Sequence, residues 1–188
     1  GFKINAHYMP GLPYTTKEMD KKGLKELFDN EDYRPDMLKI YPCMVMKGTK
    51  LYEDFKDGKF KPLTTKEAAE LIAWFKQFVP AYCRIMRVQR DIPTFMTDAG
   101  VDKTNLRQYV DEERKKQKVV CRCIRCKEIK DGVVKGELKY STITYDASEG
   151  KEFFIFAECD AGLTGFCRLR FPGKQLREEF TPTTAMIR

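Results

Sequence analysis

Residues 64–93, TTKEAAELIAWFKQFVPAYCRIMRVQRDIP, change their hydrophobic period halfway along. Thr64 and Glu67 have the spacing of a capping box, in which each residue satisfies a backbone donor of the other. Leu71, Ile72, Phe75 and Phe78 then fall on one helical stripe. From Cys83 the pattern shortens to that of a strand, which Pro93 stops. A helix that runs into a strand within thirty residues is half of a parallel crossover unit.

The same grammar extends toward the N-terminus. FKINAHYMPG (2–11) reads as a strand, and TTKEMDKKGLKELFD (15–29) as a helix with Thr15 and Glu18 as its box. DMLKIYPCMVM (36–46) is a second strand, followed by a loop. Beyond residue 93, TNLRQYVDEERKKQK (104–118) is a third helix capped by Thr104 or Asn105. Three strand–helix units predict parallel strands with right-handed crossovers, too few to close a barrel alone. After residue 118 the pattern changes. VVKGELKYSTITYD, KEFFIFAECD and LTGFCRLRFPG are strands joined by short polar turns, as in an antiparallel sheet.

The chain has 188 residues, 42% hydrophobic and 12% aromatic, which is globular composition. No apolar run approaches the roughly 18–20 residues of a membrane span, and no signal peptide is visible. The chain opens on Gly1 without an initiator Met, so it is expected to be an internal piece of a longer protein. Lys and Arg outnumber Asp and Glu by 35 to 28, for a net charge of +7. That excess favours an anionic partner, RNA first, although a lysine-rich solvated surface explains it equally well.

At the seam between the two patterns lies VVCRCIRCKE (119–128), with Cys121, Cys123 and Cys126 in a C-x-C-x-x-C run. Seven cysteines, an odd number this closely spaced, argue against a secreted disulfide framework and for a metal site in a reducing compartment. Thiolates suit zinc. A closed site needs a fourth ligand. In a strand–helix barrel, Cys121 follows a helix and Cys83 begins a strand, so both fall at the face opposite the catalytic one. Cys83 is therefore favoured, with Cys159 and Cys167 as alternatives, and His7 lies at the wrong end of its strand.

Polar residues also alternate within the strands that should be apolar on both faces: Asn5 and His7, Lys39, then Arg87 and Gln89. They predict a polar barrel lumen holding a ligand. The alternative is that buried acids satisfy Lys39 and Arg87. A basic strip of Arg84, Arg90, Arg114, Lys115, Lys118, Arg122 and Arg125 would neutralise phosphates. A solvated helix face, with Glu112 and Glu113 beside it, is the competing account.

KINAHYMPGLP, KIYPCMVMKGTKLYE, RIMRVQRDIP and CRCIRCKE, followed by GFCRLRFP, resemble in that order the Elongator catalytic-subunit family in its archaeal form. The resemblance runs from Gly1 to Phe180. It implies an α/β fold: the C-terminal part of a radical S-adenosylmethionine (SAM) barrel (1–118), a zinc-binding junction (119–130), and the first antiparallel strands of a GNAT-like acetyltransferase domain (131–188). The implied activity is carboxymethylation of the tRNA wobble uridine from acetyl-CoA by SAM radical chemistry. The family's 4Fe-4S cysteines and acetyl-CoA loop lie outside these residues, so this stretch alone is expected to be inactive. Implied partners are the tRNA anticodon stem-loop and other Elongator subunits or a second copy, in the cytoplasm and without a membrane. Two rivals remain: a zinc-stabilised RNA-binding scaffold, and a different radical SAM enzyme acting on a small molecule.

Overall fold

The Thr64 hydroxyl accepts the Glu67 amide at 3.2 Å while the Glu67 carboxylate accepts the Thr64 amide at 2.8 Å. The expected box therefore forms, and it opens a helix at the expected place. The computed structural model describes residues 2–89, 92–130, 132–175, 177–181 and 183–188. Along them run β1 (Asn5–Tyr8), α1 (Lys17–Asp29), β2 (Met37–Ile40), α2 (Lys50–Lys56), α3 (Thr65–Phe75), β3 (Arg84–Val88) and α4 (Leu106–Lys116). Then come α5 (Ile124–Lys127), β4 (Lys139–Ala147), β5 (Gly150–Cys159), β6 (Gly162–Phe171) and β7 (Met186–Ile187).

β1, β2 and β3 form a parallel sheet in that order, as the alternating grammar predicts. β4 to β7 form a separate antiparallel sheet. The strands of the first sheet are shorter than expected. β2 ends at Ile40, ahead of Pro42, which has no N–H to continue a ladder. Thr16, not Thr15, caps α1: its side chain accepts the Met19 amide, while the Thr15 hydroxyl turns back to the Leu12 carbonyl. Asn105 is the cap position of α4 but makes no side-chain cap bond. The stretch expected to be a loop before Thr64 contains α2, started by Thr49. One helical turn, α5, lies within the cysteine run itself.

One hydrophobic core joins both sheets. Leu38, Ile85 and Phe75 belong to the same buried cluster as Ile124, Phe154 and Leu163. Tyr82, ahead of β3, stacks on Tyr145 of β4 with ring centroids 3.8 Å apart. Beneath this stack runs a buried ionic network. Asp36 and Glu152, each 1% exposed, face Arg168 and Arg188. The Asp36 carboxylate lies 3.1 Å from Arg168 and 2.5 Å from Arg188, and it also accepts the Ile4 amide at the edge of β1. Glu152 lies 2.8 Å from Arg188 and 2.7 Å from Arg170. Arg168 further donates to the Tyr82 carbonyl at 2.6 Å. The network ties the start of β2 to the face of the antiparallel sheet.

Gly162 completes the junction. It has φ +129°, and a Cβ there would meet the Lys127 carbonyl oxygen at the end of α5. Next to it Ile129 donates to the Leu163 carbonyl at 3.2 Å, so the end of the cysteine run is stitched to the start of β6.

Candidate metal centre and the polar face of the parallel sheet

The chain leaves α4 through Lys118, whose positive φ of 55° turns it sharply toward the sheet. Cys121 and Cys123 come next, and the α5 turn then brings Cys126 back over them. Its first amides do the folding: Cys126 N–H and Lys127 N–H donate to the Cys123 carbonyl, at 2.9 and 3.1 Å. The three Sγ atoms lie within 4.8 Å of one another. A tetrahedral zinc ion with Zn–S near 2.3 Å holds its sulfurs about 3.8 Å apart, so a small contraction closes the set. Three soft donors and no carboxylate in the group fit zinc better than a hard cation.

Cys83, expected as the fourth ligand, does not join this group. It is fully buried in the core, its carbonyl accepts the Ile124 amide at 3.0 Å, and its thiol feels the neighbouring Cys123. The topological argument placed it at the correct end of the sheet, beside Cys123 but outside the group of three sulfurs. Cys159 and Cys167, the alternatives, also stand outside the group.

Cations surround the sulfurs. Hydrogen bonds from Cys121 and then Cys123 hold the Cys126 thiol far below its ordinary range, against burial, and the charges of Lys76 and Arg114 add to this. Cys121 is driven upward by the same bonds. Lys76 is 1% exposed, with its ammonium 2.9 Å from Asp111. The Arg107 guanidinium, lowered by burial and then by Arg125, also feels Cys123 and Cys126.

On the parallel sheet, His7 registers with Lys39 and Lys39 with Arg87, so three nitrogen-bearing side chains stand in a row across three strands. A register shift at Leu38/Lys39 makes this alignment possible. His7 and Arg87 are exposed, and among the described residues no acid pairs with Lys39. The His7 ring meets Tyr41 edge-on at 5.4 Å. Asn5 Oδ1 is buried without a hydrogen-bond partner among the described residues. Gln89 departs from the expected row. It has φ +84°, is 5% exposed, and its Oε1 accepts the Leu106 amide at 3.3 Å, satisfying the N-terminus of α4 from below.

The basic strip divides in two. Arg84 forms a two-pronged pair with Glu128, at 2.6 and 3.2 Å, and Arg114 donates to the Val119 carbonyl at 3.0 Å. Both are partly buried and hold the seam. Lys115, Lys118, Arg122 and Arg125 are exposed around it. Arg90 lies outside the described residues. No helix among the described residues is long and apolar enough to cross a membrane.

A model for the Radical SAM C-terminal domain family matches residues 35–116, from the residue before Asp36 to the end of α4. The tRNA uridine(34) acetyltransferase of Methanocaldococcus jannaschii is 42% identical over 197 aligned positions, which cover the whole chain and 36% of that relative. Elongator complex protein 3 of Saccharomyces cerevisiae is 37% identical over the whole chain and 35% of its own length. A solved structure of the archaeal Methanocaldococcus infernus Elp3, lacking its N-terminus, superposes with a TM-score of 0.90 at 42% identity, over 97% of this chain and 45% of that one. The chain belongs to the Elongator catalytic-subunit family. It spans little more than a third of the length of these two curated relatives. Within this family chain, the radical SAM match stops short of the cysteine run, so the sulfurs and the antiparallel sheet lie beyond it.

Sequence reasoning missed the ionic network and the cations around the sulfurs. A signal for the first was present. Glu152, Arg168 and Arg170 sit at inward positions of otherwise apolar strands, where a charge requires a partner. Asp36 and Arg188, however, are 152 residues apart, and nothing local couples them. Lys76 immediately follows α3 as its C-cap and reads there as an ordinary helix-end lysine.

Proposed function

We propose that this chain is the middle of a tRNA wobble-uridine-modifying enzyme, joining the end of a SAM radical barrel (1–118) through a zinc junction (119–130) to the start of a GNAT-like acetyltransferase sheet (131–188). One observation carries the reading: identity of 42% to a protein named tRNA uridine(34) acetyltransferase comes from an alignment that covers the whole chain, both sheets and the cysteine run included. A different radical SAM enzyme would share the parallel sheet but has no need of the antiparallel one.

Each group of residues has a role in this reading. Cys121, Cys123 and Cys126 would hold zinc, which fixes the approach of the two sheets. Asn5, His7, Lys39 and Arg87 would line the barrel lumen. They would bind the polar part of SAM or of an unpaired base through hydrogen bonds and positive charge. Asn5 Oδ1 awaits such a donor. Gln89 would act indirectly, by positioning α4. Lys115, Lys118, Arg122 and Arg125 would neutralise phosphates of the anticodon stem-loop. SAM with its 4Fe-4S cluster supplies radical chemistry when bound, and acetyl-CoA supplies the two-carbon unit. The 188 residues contain no C-x-x-x-C-x-x-C run, so in this reading the cluster ligands would come from outside these residues.

The test uses the full-length protein with its cluster reconstituted, an unmodified tRNA, SAM and acetyl-CoA. Nucleoside mass spectrometry should find carboxymethylation at uridine 34 only when both small molecules are present. Tight, salt-sensitive tRNA binding without any modified uridine would favour the RNA-binding scaffold instead.

A further inference from the structure

The sulfur cluster has three members where a closed tetrahedral site has four. Among the described residues no other His, Cys, Asp or Glu brings a ligand atom into the group. The three candidates for the fourth ligand all stand outside the group. Cys83 is packed in the core, where burial and then the nearby Cys123 push its thiol well up and disfavour the thiolate that a metal needs. The Cys167 thiol lies against the Arg168 carbonyl at 3.7 Å. Cys159 sits at the tip of the β5–β6 hairpin, where backbone amides of Lys135, Ala161 and Gly162 draw its thiol down.

The cluster is also lopsided. Cys121 and Cys123 are buried, whereas Cys126 is exposed and lines a cavity of about 520 Å3 with Lys127, Glu128, Lys130, Lys135 and Asp160. Among the described residues, no further ligand atom joins the three sulfurs on the side where Cys126 opens to this cavity. The charge balance says what could fill the fourth corner. Zinc with three thiolates carries a net charge of −1, and Lys76, Arg107, Arg114 and Arg125 face it against Asp111 and Glu128. That excess of positive charge lowers the cost of one more anion.

We propose that the metal bound by Cys121, Cys123 and Cys126 is completed by an exchangeable ligand from solvent, of the anionic thiolate or oxygen class, entering from the Cys126 side. The junction is then an open zinc site and not only a closed structural one. This rests on the zinc reading above.

Zinc K-edge X-ray absorption of the full-length protein, prepared without thiol reductant, tests it. The expected shell has three sulfurs near about 2.3 Å and one nitrogen or oxygen near about 2.0–2.1 Å. Adding 2-mercaptoethanol should replace the light atom with a fourth sulfur. Cys83→Ala should leave the first spectrum unchanged, and Cys83→Val serves if the alanine variant does not fold. Four sulfurs in the thiol-free protein would overturn the proposal while leaving zinc in place, as would a light atom that the thiol cannot displace. Zinc near zero per chain would instead overturn the metal reading itself.

Discussion

Cys123 is fully buried between Cys121 and the α5 turn, so its sulfur has no solvent to fall back on when a ligand is lost. Cys123→Ser should remove zinc and lower the melting temperature together, because metal binding at such a site is folding free energy. Metal analysis beside a thermal melt checks both. Cys83→Ala should behave differently, keeping about one zinc per chain and losing only roughly 1 kcal/mol to the small cavity. At Gly162 the constraint is backbone. Gly162→Ala places a methyl against the Lys127 carbonyl at a φ that side chains avoid, so it should unlatch α5 from β6. Hydrogen exchange at the Ile129 amide, which bonds across that junction, would report the loss.

At the scale of single elements, α3 is the clearest case. Thr64→Ala should cost about 1 kcal/mol in chemical denaturation, the ordinary worth of an N-cap. The partner carboxylate gives a pH signature. Hydrogen bonds from the Thr64 amide and hydroxyl lower the Glu67 pKa in the fold. That contribution is complete above the unfolded value near 4.5 and fades as pH falls through the lower folded value. Stability should lose this pH-dependent part in Glu67→Gln. In α1 the effective cap is Thr16, since a Thr-Thr pair offers two registers and only the fold chooses one. Thr16→Ala should therefore cost more than Thr15→Ala. The α2 helix was illegible because KLYEDFK is short and carries no buried residue, so its stripe is too weak to stand out from a loop.

Across the whole molecule, two sheets share one core and one ionic network. Asp36→Asn leaves Arg168 and Arg188 buried with their main counter-charge removed, a change that typically costs 3–5 kcal/mol. The unfolding midpoint of the full-length protein should drop accordingly, and added salt should not restore it because the pair is shielded from solvent. RNA binding belongs to this scale as well. If Lys115, Lys118, Arg122 and Arg125 each meet a phosphate, replacing all four with Gln should flatten the slope of log affinity against log salt by about 3. An unchanged slope would place the RNA elsewhere.

Short-range periodicity and capping spacing already determine the order of strands and helices, the change from parallel to antiparallel pairing, and the cluster of three cysteines. These are properties of neighbours three or four residues apart, and backbone geometry acts on them locally. The strand pairing also aligns His7 with Lys39 and Arg87, although alternation alone could not show that a register shift in β2–β3 would be needed. Tertiary structure decided where single side chains point. It left Cys83 beside Cys123 but outside the group of three sulfurs, moved Gln89 to the end of α4, and drew Arg84 and Arg114 into the seam. It alone brought Asp36 to Arg188, because a contact spanning 152 residues depends on how whole sheets pack, which no local pattern encodes.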